Sequence, residues 1–598
     1  MTLMPKLPED VQALSAQQSA LTHAVEAMQN GDVGTALRVL QELCTRWPES
    51  LQGWKYLAIA LDGAGQNEIA ETVYEKVLSQ TPWDHMLLHS YSGMLGVMGR
   101  YEQAIEVIRK AIAVTPQLEY RQHLVAMLFN GDFLDQAQME LNSLLQGACD
   151  LDVCLYYQAR IQHQQGLYEQ ALQSYQALTT IAPRHVLGII HKGIALKDLG
   201  DLESAVACYQ WALQINPQQP EGWVNLAVTL ERLNRLEEAQ QALETAWNLV
   251  PNNPLLRLVK IRLYRHAQRF DDALAELEAF KRESLALIHK KELAFEEGAI
   301  FAALQETSAA MRAFARGHQL AYAALSAEQQ EESFQFLMQL KDRAALIEQA
   351  QVATDGPSTE ASPIFFLGFP CSGSSLLSSL LDNHLSLSSM LEKSSLAVVW
   401  EKLVQEHGLN ERHMGQLTPA LRALGREYYW QACGVTPNAP AQWLDSMPLN
   451  VLYLPLLVQL FPNAKSVLLV RHPYGVCLSA YMQDFQHNPT VAQFHELGTA
   501  ATLYSETMDF WCQAQHRFAL QPYTVRYEDL LSDATPVLQP LLAYLGQPCD
   551  DVATLGEALS LSMQHPATHH CDWQAYGPYL HAVQAPLQRW LSYWGYDA

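Results

Sequence analysis

The sequence predicts an all-α superhelix of helical repeats, followed by an α/β domain with a parallel sheet and a P-loop-like turn. Two kinds of residue recur at a 34-residue step in the first half, which is the pattern of a repeat array. At residue 364 the helical period gives way to a continuous apolar run, typical of a buried parallel strand. The 598 residues also exceed what one hydrophobic core usually organises.

Prolines and glycines mark the repeats. Each repeat carries small and aromatic residues where two helices must pack closely, as in Trp54, Ala58, Ala70 and Tyr74. Proline ends the second helix of a repeat because it cannot continue the hydrogen-bond ladder. The markers are Pro48, Pro82, Pro116, Pro183, Pro217 and Pro251, and Gly31, Gly65, Gly99, Gly166 and Gly200.

This pattern resembles the tetratricopeptide repeat (TPR) family. We expect about eight to nine helix-turn-helix units with a helical extension over residues 17–349. The resemblance implies a superhelix whose concave face binds a protein or peptide. The alternative is that the array only holds or dimerises the following domain.

Charge and composition restrict the partners. The net charge of −25 opposes binding to nucleic acid and to anionic lipid. The chain has no apolar run long enough to cross a membrane and no secretory signal pattern at its first residues. Its ten cysteines include no CxxC pair. We expect a cytoplasmic protein with reduced thiols, no nucleic-acid partner, no membrane insertion and no metal site.

The C-terminal domain, residues 363–598, follows a linker at 350–362 that is rich in Gly, Pro and small polar residues. Its first strand runs into a Gly-containing loop and then a helix, an order that favours an anion at the helix start. The loop has the spacing of a P-loop, but Ser374 stands where a nucleotide triphosphatase carries its lysine. Cys371 at a helix start could be a nucleophile. However, Leu377 occupies the place of a tyrosine phosphatase's arginine, so a small loop residue is the favoured interpretation of Cys371.

Five segments in order resemble the sulfotransferase family. The loop resembles its P-[RK]-S-G-[ST]-[ST] motif, and Arg471 with Ser479 resembles its R-x-P-x-x-x-x-x-S motif. The resemblance implies that the loop holds the 5′ end of 3′-phosphoadenosine 5′-phosphosulfate (PAPS), and that Arg471 and Ser479 clasp its 3′-phosphate. The loop residues are Pro370, Cys371, Ser372, Gly373, Ser374 and Ser375, and the other matching segments are Trp443–Asn450, Phe461–Lys465 and Val525–Leu530.

The resemblance also implies catalytic groups, of which only one is found. Glu392 lies where some family members carry a catalytic base, although a solvated carboxylate beside Lys393 explains it equally well. Cys371 and Ser446 replace the two cations expected beside the sulfate. His472, Lys393 and Lys465 are the candidate substitutes. The cluster His565, His569, His570 and Cys571 lacks a standard zinc spacing and is expected to be a surface loop.

The expected function follows from this resemblance. We expect sulfuryl transfer from PAPS to a hydroxyl acceptor on a protein or peptide that the TPR array presents. The alternative is a catalytically degenerate sulfotransferase-like protein that serves as a TPR scaffold, because the two family cations are missing. A P-loop kinase would need the lysine that Ser374 replaces.

Overall fold

The chain forms two compact units, Met1–Leu249 and Val250–Ala598. The computed structural model describes residues 9–147, 149–350, 362–384, 387–390, 395–433, 435, 442–485, 488–547, 555–556 and 572–596. Within these residues no helix is long and apolar enough to cross a membrane.

The first unit is a row of paired helices. The first helices of neighbouring pairs pack against each other, as α7 does on α9 and α9 on α11, and they therefore line the more tightly curved side of the row. Its helices are α1 (Glu9–Gln29), α2 (Val33–Arg46), α3 (Leu51–Gly63), α4 (Asn67–Gln80), α5 (His85–Val97), α6 (Tyr101–Val114), α7 (Leu118–Asn130), α8 (Leu134–Leu145), α9 (Leu151–Gln164), α10 (Tyr168–Ile181), α11 (Val186–Asp198), α12 (Leu202–Ile215), α13 (Pro220–Arg232) and α14 (Leu236–Leu249).

One residue with a positive φ angle forms the turn inside each helix pair. The five glycines at the 34-residue step have φ between 71° and 86°. In other pairs the same turn is made by Asp132, Asn234, Gln268 and Gln305, with φ between 56° and 65°. The left-handed conformation costs a residue with a Cβ roughly 1–2 kcal/mol, which explains why glycine is the commoner choice.

The second unit begins with repeat helices and continues into the α/β domain. Its elements are α15 (Pro254–His266), α16 (Phe270–Lys281), α17 (Leu287–Ala303), α18 (Thr307–Ala323), α19 (Ala327–Leu346), β1 (Ile364–Gly368), α20 (Ser374–His384), β2 (Leu387–Met390), α21 (Ser395–His407), α22 (Pro419–Cys433), β3 (Gln442–Asp445), α23 (Leu454–Leu460), β4 (Ser466–Val470), α24 (Pro473–Tyr481), α25 (Leu497–Phe518), β5 (Tyr523–Arg526), α26 (Tyr527–Ser532), α27 (Thr535–Leu545) and α28 (His581–Trp594).

In the described part of the chain, five strands form one parallel sheet in the order β2-β3-β1-β4-β5. Both faces of the sheet are covered. Ile364 and Phe366 of β1 pack with α20, α26 and α27, whereas Phe365 and Leu367 pack with α21 to α25 and α28. This covering explains why β1 reads as a continuous apolar run rather than an alternating one.

The last repeat helices share a core with the α/β domain. Phe314 of α18, Leu340 of α19 and Ile347 belong to the same buried cluster as Phe365 and Leu367 of β1. The predicted linker at 350–362 lies almost wholly outside the described residues, and the boundary between the compact units falls about a hundred residues earlier. The change of sequence period at residue 364 therefore does not coincide with a break in packing.

Candidate functional site

The carboxyl ends of β1 and β4 form the crevice in which this sheet is expected to bind a ligand. The two strands are neighbours, and the chain leaves β1 towards β2 and β3 but leaves β4 towards β5 on the other side. Open parallel sheets bind ligands at such a reversal of strand order. The sequence-predicted loop and Arg471 both follow these two strands.

The loop after β1 has a backbone conformation that needs glycine at one point. Cys371 and Gly373 both have positive φ, at 66° and 99°. A Cβ atom on Gly373 would lie 2.5 Å from Cδ2 of Tyr527, whose ring packs against the loop. The side chains of Ser372 and Ser374 are buried, and that of Ser375 is exposed. The backbone of the loop is thus held close to Tyr527.

Arg471 joins β4 to this loop. Its Nη1 donates a hydrogen bond to the carbonyl oxygen of Cys371 at 2.8 Å, and its Cζ lies 4.6 Å from the centre of the Tyr527 ring. Only 7% of Arg471 is exposed. The structure therefore brings together the predicted loop and the predicted arginine, which lie 100 residues apart in the sequence.

Ser479 lies in α24, the helix that follows Arg471. It is 3% exposed, and its hydroxyl has no hydrogen-bond partner among the described residues. The end of α24 is held by α18, because Nε2 of His318 lies 2.7 Å from the carbonyl oxygen of Tyr481. Burial lowers the pKa of His318 to about 4, so the imidazole is neutral at pH 7 and donates to that carbonyl. A repeat helix thus positions the helix that carries Ser479.

Asp445 anchors the turn after β3. The carboxylate accepts hydrogen bonds from Oη of Tyr429 at 2.8 Å, from Nδ2 of Asn450 at 2.8 Å and from the backbone N of Met447 at 3.2 Å. Ser446, the position of a missing family cation, is 1% exposed, and its Oγ lies 3.5 Å from Oγ of Ser389. The turn is therefore closely packed around a hydroxyl where the family carries an amine.

The buried Asp445 makes stability depend on pH. Burial raises its pKa from 3.8 to about 6, so the folded state holds the proton more tightly than the unfolded state does. Its contribution is fully present below about pH 4 and is lost as the pH rises through about 6, on the order of 3 kcal/mol in all. We expect Asp445→Asn to remove this loss. The measurement is urea unfolding of both proteins between pH 4 and pH 8, with the exposed Asp529→Asn as control; parallel profiles would contradict the expectation.

Of the three candidate substitutes for the missing family cations, only Lys465 and His472 lie in the described residues. Lys465 lies before β4, at the opposite end of the strand from the loop, and its Nζ donates to the carbonyl oxygen of Leu545 at 2.9 Å. Lys465 is therefore excluded as a substitute. His472 lies at the start of α24, where its ring stacks 4.1 Å from the ring of Trp573 and its backbone N donates to Glu528. Lys393, Glu392 and the cluster at 565–571 lie outside the described residues.

Two further residues of the site were not assigned a role from sequence. Arg526 ends β5 and pairs in register with Val470, the residue before Arg471. Its Cζ lies 4.3 Å from the ring centre of Tyr596. Tyr527 follows and supports both Arg471 and Gly373. The matching segment Val525–Leu530 was the available sequence signal, but the motif alone did not show which side chains face the loop.

Family models match both halves of the chain. Residues 363–551 match the sulfotransferase family. Tetratricopeptide repeat families match residues 21–84, 96–118, 153–185, 193–234 and 220–253. The chain joins a TPR array to a sulfotransferase-family domain. This confirms the architecture that the sequence predicts.

Individual relatives are distant. An uncharacterised protein of Aquifex aeolicus strain VF5 is 25% identical over 204 residues, which span 32% of this chain and only 26% of that protein. A tetratricopeptide repeat protein from Parabacteroides merdae is 14% identical, with a TM-score of 0.26, over 52% of this chain and 95% of that one. The APC/C Cut9–Hcn1 structure is 14% identical, with a TM-score of 0.35, over 41% and 48%.

The described residues fit a phosphate-bearing cofactor in two respects. Among the described residues, the hydroxyl of Ser479 is a buried donor without a protein acceptor. Arg471 supplies a planar cation at the same edge. Within the described ranges no group of three or more His, Cys, Asp and Glu side chains could hold a metal ion.

Proposed function

We propose that this protein transfers a sulfuryl group from PAPS to a hydroxyl group on a protein or peptide held by the TPR array. The observation that carries the proposal is the contact between Arg471 and the Cys371 carbonyl, at the edge where parallel sheets bind ligands. It combines with the family match over residues 363–551, since a family domain by itself does not fix an activity.

The proposed roles divide the site into three parts. The loop Pro370–Ser375 and the start of α20 hold the 5′ end of PAPS through backbone N–H groups. Arg471 and Ser479 hold the 3′-phosphate, the first through two-pronged donation and the second through its hydroxyl. Glu392 accepts the proton of the acceptor hydroxyl. Bound PAPS supplies the activated sulfuryl group.

The proposed enzyme lacks the two family cations that would lie beside the sulfate. Removing one preorganised donor that stabilises developing charge typically slows an enzyme about a hundredfold or more. Here Cys371 and the buried Ser446 replace two such groups. Arg526 is a cation at the neighbouring strand end. Because the two family cations are missing, we expect slow sulfuryl transfer.

The same deficit favours a second candidate function, a TPR scaffold with a degenerate sulfotransferase domain. Three arginines of the C-terminal domain bind protein groups outside the crevice and so do not replace the missing cations. Arg422 donates to Leu417 and Gln459, Arg517 donates to the Ala350 carbonyl, and Arg589 pairs with Asp509. A scaffold would not need cations in the crevice.

A transfer assay separates these functions. Incubating the full chain with radiolabelled PAPS and 4-nitrophenol should give slow formation of the sulfated phenol. We expect Glu392→Gln to lower the rate by a factor of about 10²–10⁴, because a general base contributes that much. The exposed Glu401→Gln is the matched control and should retain the rate. No transfer by the wild type would contradict the enzyme and favour the scaffold.

A further inference from the structure

Arg160, in the first unit, is a half-buried cation that aromatic rings rather than a carboxylate surround. Its Cζ lies 4.3 Å from the ring centre of Phe129 and 5.6 Å from that of Tyr156. Within the described part of the chain its one hydrogen bond is a long one, 3.5 Å from Nη1 to Oη of Tyr156, and it forms no ion pair. A guanidinium has five N–H donors, so most of its donor capacity is not used by the protein.

Three other partly buried cations of the array are paired. Lys55 contacts Asp84 at 2.8 Å, Arg100 contacts Glu71 at 2.7 Å, and Arg121 contacts Glu140 at 2.5 Å. This chain carries 63 acidic residues against 38 basic ones, so carboxylates for pairing are abundant. The lack of an ion pair at Arg160 is therefore not the result of a shortage of carboxylates.

The surroundings of Arg160 form a continuous surface of first helices. Phe129 lies on α7, Arg160 with Tyr156 and Tyr157 on α9, and His191 on α11. These three helices pack in sequence on the more tightly curved side of the row. The rings are in contact, with centroids 6.1 Å apart for Phe129 and Tyr157, and 5.7 Å apart for Tyr156 and His191. Arg160 therefore lies in a cluster of rings in which Phe129 and Tyr156 are buried, and Tyr157 and His191 are partly exposed.

The nearby titratable groups do not form an ion pair with the Arg160 guanidinium. Burial lowers the pKa of His191 to about 3, with a further lowering by Arg160, so the imidazole is neutral at pH 7. Glu221 of α13 is a carboxylate on the same side, but it faces Nε2 of His191 at 3.8 Å and makes no ion pair with Arg160. Burial raises the pKa of Glu221, while Arg160 lowers it.

We propose that Arg160 and the rings around it form a binding site for an acidic side chain of a peptide, with the carboxylate taken by the guanidinium. A two-pronged contact between arginine and a carboxylate is among the strongest polar contacts in proteins. The partly exposed ring of Tyr157 offers an apolar surface to the residue beside the acidic one. The proposal rests on the proposed function in one respect: the peptide is the acceptor that the array presents.

The test measures peptide binding in the absence of PAPS, so it does not depend on sulfuryl transfer. The probe is a fluorescein-labelled, amide-terminated Gly-Glu-Tyr-Glu-Gly peptide, followed by anisotropy in 150 mM salt, with a peptide in which Gln replaces both Glu residues as its partner. We expect the full chain to bind the acidic peptide at least tenfold more tightly than its partner. Arg160→Met should remove that preference, and Arg160→Lys should retain part of it.

A matched variant separates a contact from general electrostatics. Arg121→Met removes the same charge from α7, but it removes a cation already paired with Glu140. We expect it to retain the preference for the acidic peptide. Equal binding of the two peptides by the wild type, or an unchanged preference in Arg160→Met, would overturn the site. If Arg160→Met loses peptide binding but transfers sulfate to 4-nitrophenol, the peptide site and the enzyme proposal both stand. If peptide binding behaves as expected but the wild type transfers nothing, only the enzyme proposal fails.

Discussion

A fragment of residues 250–598 should fold, whereas a fragment of residues 363–598 should not. The shorter fragment lacks the buried side chains Phe295, Met311, Phe314, Leu340 and Ile347, which belong to the core of the α/β domain. Burying a large apolar side chain contributes about 1.5–3 kcal/mol, so the five together contribute on the order of 10 kcal/mol. That sum is comparable to the whole stability of a typical domain, about 5–15 kcal/mol.

Polar contacts between the same segments strengthen this expectation. Lys291 pairs with Asp484 at 2.8 Å, Arg343 with Glu411 at 2.8 Å, and Nε of Arg517 donates to the carbonyl oxygen of Ala350 at 3.0 Å. The measurement is thermal unfolding by circular dichroism, together with size-exclusion chromatography of both fragments. A monomeric 363–598 fragment that unfolds as cooperatively as 250–598 would contradict the shared core.

The change Gly373→Ala should strongly weaken nucleotide binding while leaving the fold largely intact. Gly373 has φ of 99°, and a Cβ there would lie 2.5 Å from the Tyr527 ring. Strain of this kind costs about 1–3 kcal/mol, and relieving the overlap would move the loop away from Arg471 as well. We expect the affinity for adenosine 3′,5′-bisphosphate to fall on the order of a hundredfold, equivalent to about 2.7 kcal/mol.

Gly498→Ala is the matched control for this change. Gly498 lies in α25, where an added Cβ would meet only the Cβ of Ala582 at 3.8 Å, an ordinary contact. Alanine at a helical position stabilises by about 0.4–1 kcal/mol, so this variant should be slightly more stable and bind the nucleotide unchanged. Isothermal titration of both variants makes the comparison. If Gly373→Ala binds as tightly as the control does, the loop does not hold the nucleotide.

Local sequence patterns predicted the repeat units and the loop, because these depend on neighbouring residues. The 34-residue glycine step corresponds to a left-handed turn, a requirement that a single residue satisfies. The same step is harder to see at Gln268 and Gln305, where side chains without special turn preference occupy that conformation. The repeat pattern therefore weakens in the sequence at positions where the helix pairs continue in the structure.

Long-range packing was not available from the sequence. The contact of His318 with the end of α24 joins residues 163 positions apart, and the bond between Tyr429 and Asp445 depends on where α22 packs. Helical periodicity shows which face of α18 is apolar, but it does not identify the partner of that face. Lys465 illustrates the same limit, since its place in a motif did not show that it binds the end of α27.

Titration of the full chain with adenosine 3′,5′-bisphosphate tests the central claim most directly, because it asks whether the crevice between β1 and β4 holds the cofactor. We predict binding by the wild type, weaker binding of adenosine 5′-monophosphate, and a loss of about 1.5–3 kcal/mol in Arg471→Ala, since that change removes a charge-assisted contact to phosphate. Arg471→Lys, which keeps the charge, should lose less. No binding by the wild type, or equal affinity in Arg471→Ala, would contradict the account.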